Sequence, residues 1–335
     1  MADLKPLEHR QYAHCESGVV TALLRCHSID LSEPMVFGIT GGLTFAYIPF
    51  IKMTNMPIVS YRMMPGSIIK GAVKNLDVKF KTQRYRDKEA ALAELIDLVD
   101  RGEIVGLQTS VYWLPYFPPE MRFQFNAHNL IVYGREREEF LVSDPVFEHT
   151  VWIKAEDLQN ARFARGTLAP KGFLYYPVRV NTSIDLQEAI RKSIKRTVHM
   201  MLYAPVPFIG VKGIHYMARR IERLKTHKDL RYVRLFLGHI VRMQEEIGTG
   251  GGGFRFMYAA FLQEAGQILK SQRLEEASRM MTEAGDMWRQ FASACAKACK
   301  SKTANFDVED IARLVKKCAI QEKIVYELLK TSLTQ

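Results

Sequence analysis

Three residues able to perform acyl chemistry together stand at Cys15, His128 and Asp144. A thiolate attacks an activated carbonyl, an imidazole carries the proton, and a carboxylate holds the ring in the useful tautomer. Cys15 lies in Gln11-Tyr12-Ala13-His14-Cys15-Glu16-Ser17-Gly18, directly ahead of Val19, Val20, Leu23 and Leu24. Those apolar positions mark one helical face and put Cys15 in the first turn or just before it. A helix N-terminus stabilises thiolate over thiol. A small buried structural cysteine fits the same place. His14, next to Cys15, competes for the role of base, although side chains at i and i+1 diverge on a helix.

His128 and Asp144 flank two strand-like runs, Asn129 to Tyr133 and Phe140 to Ser143, joined through Arg135-Glu136-Arg137. A turn centred on Glu136 sets His128 opposite Asp144, Leu130 opposite Val142 and Val132 opposite Phe140. The two apolar pairs then share the face of the polar pair, which makes the register self-consistent. The plainer reading of the same residues is a surface histidine beside a turn Asp-Pro.

The elements around these residues change character along the chain. Residues 1–180 mix short helices with strands: Phe45 to Ile48, Ile58 to Tyr61, Val78 to Phe80, Ile104 to Thr109, Thr150 to Ile153 and Gly172 to Val178 read as strands. Lys88 to Arg101 reads as a helix that Gly102 ends. Residues 181–335 read as helices throughout: Ile184 to Met201, Val211 to Lys225, Leu230 to Ile247, Phe254 to Leu269, Leu274 to Cys299 and Val308 to Leu329. The expected fold class is α+β, a mixed N-terminal domain with mostly antiparallel later strands, followed by an all-helical C-terminal domain.

The 335 residues suffice for a sizeable core in one large domain or two ordinary ones. The five cysteines, Cys15, Cys26, Cys295, Cys299 and Cys318, are an odd, scattered set. With no apolar signal core at the N-terminus, they argue against a disulfide framework and for a cytoplasmic chain. Metal-ligand spacing is absent, so no metal is expected. No stretch is long and apolar enough to span a membrane; peripheral contact stays open. The net charge of +11 is uneven: residues 1–180 carry 21 Lys and Arg against 20 Asp and Glu, and residues 181–335 carry 26 against 16. The second half therefore favours an anionic partner. It contains no recognised nucleic-acid motif, and none is expected as partner.

A helix-opening Cys, a strand-opening His and an Asp-Pro after the next strand are similar to the papain-like cysteine enzymes, particularly their bacteriocin-leader-processing branch. More specifically, His14-Cys15-Glu16-Ser17, Ser32-Glu33-Pro34-Met35-Val36-Phe37-Gly38, Gly41-Gly42-Leu43-Thr44-Phe45 and Trp113-Leu114-Pro115-Tyr116 resemble the N-terminal domain of the butirosin-biosynthesis acyltransferase family. Gly248-Thr249-Gly250-Gly251-Gly252-Gly253-Phe254-Arg255 and Tyr258-Ala259-Ala260-Phe261-Leu262 resemble the helical domain that accompanies it.

The resemblance implies acyl transfer from a carrier-protein thioester to an amine or hydroxyl acceptor in specialised-metabolite biosynthesis. Cys15 matches the nucleophile, His128 the base and Asp144 the orienting carboxylate. The peptidase relatives place an oxyanion Gln ahead of the Cys, and Gln11 is the candidate here, at a shorter spacing. No bound cofactor is implied; the phosphopantetheine of an acidic acyl carrier protein serves as the donor arm. Gly250, Gly251, Gly252 and Arg255 are candidates for its phosphate, as backbone amides and a helix N-terminus, unless the glycines are only a flexible connection. Tyr112, Trp113 and Tyr116 either wall an acyl pocket or plug the core edge. The rivals are a thioester or amide hydrolase on the same triad and a non-enzymatic basic binding protein.

Overall fold

The computed structural model describes residues 6–53, 55–247, 250–301 and 307–332. They form two compact units: the chain up to Val36 with Ile68–Ile184, and Phe37–Ser67 with the chain from Asp185 onward. The expectation of domains at 1–180 and 181–335 differs from this in one segment. Residues 37–67, which contain the strand-like runs Phe45 to Ile48 and Ile58 to Tyr61, belong with the C-terminal helices.

The first unit is built on helix α1 (Cys15–Cys26) and a six-stranded antiparallel sheet. The strands are β3 (Val78–Gln83), β4 (Val105–Thr109), β5 (His128–Glu136), β6 (Glu139–Ser143), β7 (Val151–Lys154) and β8 (Leu174–Val180), in the order β3-β8-β4-β5-β6-β7. The earlier β1 (Leu43–Met53) and β2 (Met56–Arg62) form a separate hairpin in the second unit. Helix α1 packs on β4, β5 and β8 and is buried along almost its whole length. Helices α4 (Lys88–Asp100) and α5 (Ala155–Arg162) also pack on this sheet. Leu95 and Leu98 of α4, Leu158 and Ala161 of α5, and Leu107, Leu130 and Val132 of the strands share one core. Asp87 caps α4 by accepting from the Ala90 amide at 2.7 Å.

The β5–β6 hairpin forms, but its register differs from expectation. Ile131 faces Ser143 and Val132 faces Val142; an irregularity follows at Gly134, and Glu136 pairs with Glu139. The turn is therefore Arg137-Glu138, with Arg137 in the left-handed region at φ 53°. On the His128 side of Gly134 the pairing has moved by two residues, so the side chains there keep their face; between Gly134 and the turn it has moved by three.

The second unit contains the β1–β2 hairpin and helices α6 (Leu186–Tyr203), α7 (Gly210–Glu222), α8 (Leu230–Val241), α9 (Arg255–Leu269), α10 (Gln272–Lys300) and α11 (Val308–Ser332). Aromatic residues from hairpin and helix meet in its core: Tyr61 packs edge-on to Trp288, with ring centroids 5.3 Å apart. Among the described residues, no helix is long and apolar enough to cross a membrane.

Candidate active site

Cys15 is the first residue of α1, and its side chain is 7% exposed. His14 is the N-cap: its Nδ1 accepts the Ser17 amide at 3.3 Å and lies 2.9 Å from the Ser17 hydroxyl. The imidazole beside Cys15 is thus a cap, oriented by its own helix.

Behind this start sits a carboxylate that the sequence pattern does not announce. Glu33, at the head of helix α2 (Glu33–Ile39), accepts from the amides of Ala13 at 2.8 Å and His14 at 2.9 Å and from the Ser17 hydroxyl at 2.7 Å. Burial pushes its carboxyl up, while the Ser17, Ala13 and His14 donors pull it back. Glu16 is also buried and accepts the Ile68 amide at 3.0 Å. The signal for Glu33 was its placement in Ser32-Glu33-Pro34-Met35, a helix-opening pattern whose partner lies on another element.

The chain ahead of Cys15 is fastened to the segment after β6. Tyr12 donates its amide to the Pro145 carbonyl at 2.9 Å, and Gln11 Nε2 donates to the Val146 carbonyl at 2.8 Å. His9 places Nδ1 2.7 Å from the Ser143 hydroxyl and Nε2 3.1 Å from the Phe147 carbonyl. Gly18 lets Tyr12 lie flat on α1, since a Cβ there would meet the tyrosine side chain at 2.6 Å. These bonds fasten the segment that leads into Cys15 to the segment that carries Asp144. They also correct the expectation for Gln11: its amide is engaged by Val146, and the side chain is exposed. Its observed role is to tether this segment.

His128 opens β5 and Asp144 follows β6; both are buried. His128 Nε2 lies 2.7 Å from Asp144 Oδ2. The same oxygen accepts the Tyr116 hydroxyl at 2.8 Å, and Oδ1 accepts the Val146 amide at 3.0 Å. Phe117 stands edge-on to the imidazole at 5.5 Å and is backed by Phe147 at 4.8 Å. Cys15 Sγ is 3.9 Å from the Ala127 carbonyl oxygen, and its side chain hydrogen-bonds with His128. Burial alone would push the His128 imidazolium down, but the Asp144 charge and the bonds to Asp144 and Cys15 win, raising it to about 10. Cysteine, histidine and aspartate are therefore in line, with Asp144 on one ring nitrogen and the other left for proton traffic.

The remaining candidates separate. Tyr116 joins the triad as a donor to Asp144; burial and the adjacent carboxylate push its phenol well above the ordinary range, so the proton stays in place. Tyr112 and Trp113 form no part of this line and border a separate depression together.

The glycine-rich run is a structural piece. Its first residues, Gly248 and Thr249, lie outside the described residues. Gly250 to Gly253 and then Phe254 all have positive φ, from 56° to 84°. A Cβ on Gly251 would meet the Arg289 guanidinium at 2.6 Å, and one on Gly253 would strike the Tyr61 ring. The Gly252 amide already donates to both oxygens of Glu245 at 3.2 Å. Arg255 is fully buried and pairs with Glu322 through Nε at 2.9 Å and Nη2 at 3.1 Å. Trp288 and Tyr326 donate to the same carboxylate. The expectation of a phosphate site at Gly250, Gly251, Gly252 and Arg255 is therefore corrected: the carboxylates of Glu245 and Glu322 occupy the anion positions.

All five cysteines are free thiols. Among the described residues, no group of three or more His, Cys, Asp and Glu is arranged to hold a metal ion.

Two family models match the chain in succession. That of the N-terminal domain of butirosin biosynthesis protein H matches residues 14–145 and spans the whole triad. That of a domain of unknown function, DUF4872, matches residues 156–329. No curated protein matches the chain. Among solved structures, a C39-like peptidase from Bacillus anthracis is similar at 15% identity over 52% of this chain and 96% of its own, with a TM-score of 0.38. At that score the likeness carries no argument about fold or activity.

Proposed function

We propose that this chain, which belongs to the family defined by the domain of unknown function DUF4872, is a cysteine-dependent acyltransferase that moves an acyl group from a carrier-bound thioester to an amine or hydroxyl acceptor. The observation that carries the reading is the alignment of Cys15, at the start of a helix, with His128 and Asp144. The match to the butirosin biosynthesis protein H domain over the same residues supports it.

In the first half-reaction the Cys15 thiolate attacks the thioester carbonyl, and the tetrahedral intermediate collapses with loss of the donor thiol. His128 supplies the proton that leaves on that thiol. Amide groups at the start of α1 face the developing oxyanion in this scheme. In the second half-reaction the acceptor amine or hydroxyl attacks acyl-Cys15, and His128 takes its proton. The C–S bond breaks and Cys15 returns as thiolate beside the imidazolium. Burial of both Cys15 and His128 favours an acceptor over water, because transfer requires a dry site.

The carrier itself is proposed to be acidic. The second unit holds 28 Lys and Arg against 16 Asp and Glu, whereas the first holds 19 against 20. The basic excess thus resides in one unit, and such a field speeds encounter with an acidic protein.

Intact mass spectrometry after incubation with acyl-pantetheine and acyl-carrier thioesters tests the proposal. The expected result is an acyl adduct on the wild-type protein, absent in Cys15→Ala, that discharges faster to an amine than to water. Discharge to water at the same rate with and without amines identifies a hydrolase on the same triad. No adduct from any thioester, with Cys15 still open to iodoacetamide, ends the acyl-transfer reading.

A further inference from the structure

The depression beside Tyr112 and Trp113 has features that the triad does not use. It has a volume of about 330 Å3 and belongs wholly to the first unit. Its position follows from the sheet: Thr109, the last residue of β4, pairs with His128, the first of β5. Ser110 and Asn126, which both line the depression, are therefore one and two residues beyond that pair, at the sheet end where the imidazole sits. Ala127, between Asn126 and His128, is the residue whose carbonyl lies 3.9 Å from Cys15 Sγ. The depression is thus linked to the triad through the chain, by the Asn126-Ala127-His128 segment.

The lining has a definite chemistry. Tyr112 and Trp113 are 47% and 45% exposed and stand edge to face, with centroids 5.3 Å apart. Aromatic side chains of this size left open beside a polar hollow provide an apolar wall for a ligand. Gln124 and Asn160 line the same hollow, and their side-chain amides make no hydrogen bond among the described residues. Lys88, whose ammonium stands 6.0 Å from the centroid of the Phe163 ring, and Arg165 also line it, neither in an ion pair among the described residues. Among the described residues, no carboxylate lines the depression. A polycationic ligand would find two like charges and no counter-charge there. A ligand with amide groups, an apolar stretch and an anionic end would find a partner for each part.

We infer that this depression binds the phosphopantetheine arm of the acyl donor, with the amides of Gln124 and Asn160 on the arm's two amides, Tyr112 and Trp113 against its gem-dimethyl carbons, and Lys88 and Arg165 on its phosphate. The inference rests on the acyl-transfer reading for the identity of the donor. It places the arm in the unit that holds Cys15, in contrast to the glycine-rich run, whose anion positions carboxylates fill.

Two measurements separate the site from the activity. Titration calorimetry with free 4′-phosphopantetheine reads binding without chemistry. Acylation of Cys15 by acyl-phosphopantetheine, acyl-pantetheine and acyl-N-acetylcysteamine reads use of the arm. The expected result is a kcat/KM that rises about tenfold when the phosphate is present, on the scale of two solvent-exposed ion pairs. Lys88→Ala/Arg165→Ala should abolish that gain, and Trp113→Ala should lower use of both pantetheine donors. Both variants should leave the N-acetylcysteamine donor unchanged. Binding of phosphopantetheine that the double variant weakens, without acylation by any donor, would uphold the site and end the transfer reading. Equal kcat/KM for all three donors, or a phosphate preference that survives in the double variant, would overturn the site and leave transfer standing. Neither binding nor acylation would overturn both.

Discussion

His128 and Asp144 meet on a diagonal. The β5–β6 ladder ends at the Ile131–Ser143 pair, so Asp144, one step further, stands across from Leu130, two residues from His128. The diagonal is spanned by the long axis of the imidazole, whose far nitrogen, Nε2, reaches Oδ2 at 2.7 Å. Diagonal neighbours on one face of an antiparallel pair lie about 7–8 Å apart, within reach of an aromatic ring. The arrangement leaves Nδ1 as the other ring nitrogen for Cys15.

His128→Ala should reduce kcat/KM for thioester donors by at least about a hundredfold, the lower range for a general acid–base residue. His14→Ala should act on stability instead, costing about 0.5–2 kcal/mol for a lost N-cap, with turnover within about tenfold of wild type. Steady-state rates and urea unfolding of both variants check the contrast. Equal losses of turnover would show that the cap and the base had been misassigned.

Asp144→Asn should move the alkaline limb of kcat/KM toward neutral pH. The His128 imidazolium is raised to about 10 by the Asp144 charge and by bonds that outweigh burial, so without the charge the burial effect pulls it down. The linkage to stability has a definite sign. A group whose folded pKa exceeds its ordinary 6.5 stabilises the fold fully below about 6.5, and this contribution is lost as pH rises toward about 10. Wild type should therefore lose stability across that window relative to Asp144→Asn, as urea midpoints from pH 6 to 10 will read.

Glu322→Leu should destabilise the second unit by about 3–5 kcal/mol, because it leaves the fully buried Arg255 guanidinium without its counter-charge. Arg255→Met combined with Glu322→Leu should recover much of the loss, as buried pairs replaced together by apolar groups often do. A double variant as unstable as the sum of the two single changes would point to the Trp288 and Tyr326 bonds as the larger contribution.

Added salt should weaken use of a carrier-bound donor while sparing small thioesters. The Debye length falls from about 10 Å at 0.1 M to about 3 Å at 1 M, and rim charges act mainly on encounter. Reversing Arg219 and Arg220 on α7 should act in the same direction. Identical salt series for both donor classes would remove the role given to the basic unit.

Much of this site was legible in the sequence because its cues were local. Val19, Val20, Leu23 and Leu24 reveal the α1 helix and so the place of Cys15 at its start. The β5–β6 hairpin is equally visible, but the Arg137-Glu138 turn and the irregularity at Gly134 leave the His128 side shifted by two, which alternation cannot reveal because an even slip preserves every face there. Glu33 escaped because its partners, Ala13, His14 and Ser17, belong to another element. The glycine run misled for the reverse reason: consecutive glycines do resemble an anion cradle, and only the fold shows Glu245 already bonded to it. Phe45 to Ile48 and Ile58 to Tyr61 read as strands, and they are strands; β-propensity says nothing about which core a hairpin joins.

That last segment bears on inheritance. The chain passes between its two units at Val36–Phe37, Ser67–Ile68 and Ile184–Asp185. The region matched by the butirosin biosynthesis protein H domain, residues 14–145, therefore contains a hairpin that belongs to the other unit's core, where Tyr61 meets Trp288. A gene fragment ending near residue 180 would encode Phe45 and Tyr61 without the helices that shelter them. Recombination between the two matched regions is thus penalised by exposed aromatic surface, and the pair should travel through genomes as one indivisible cassette.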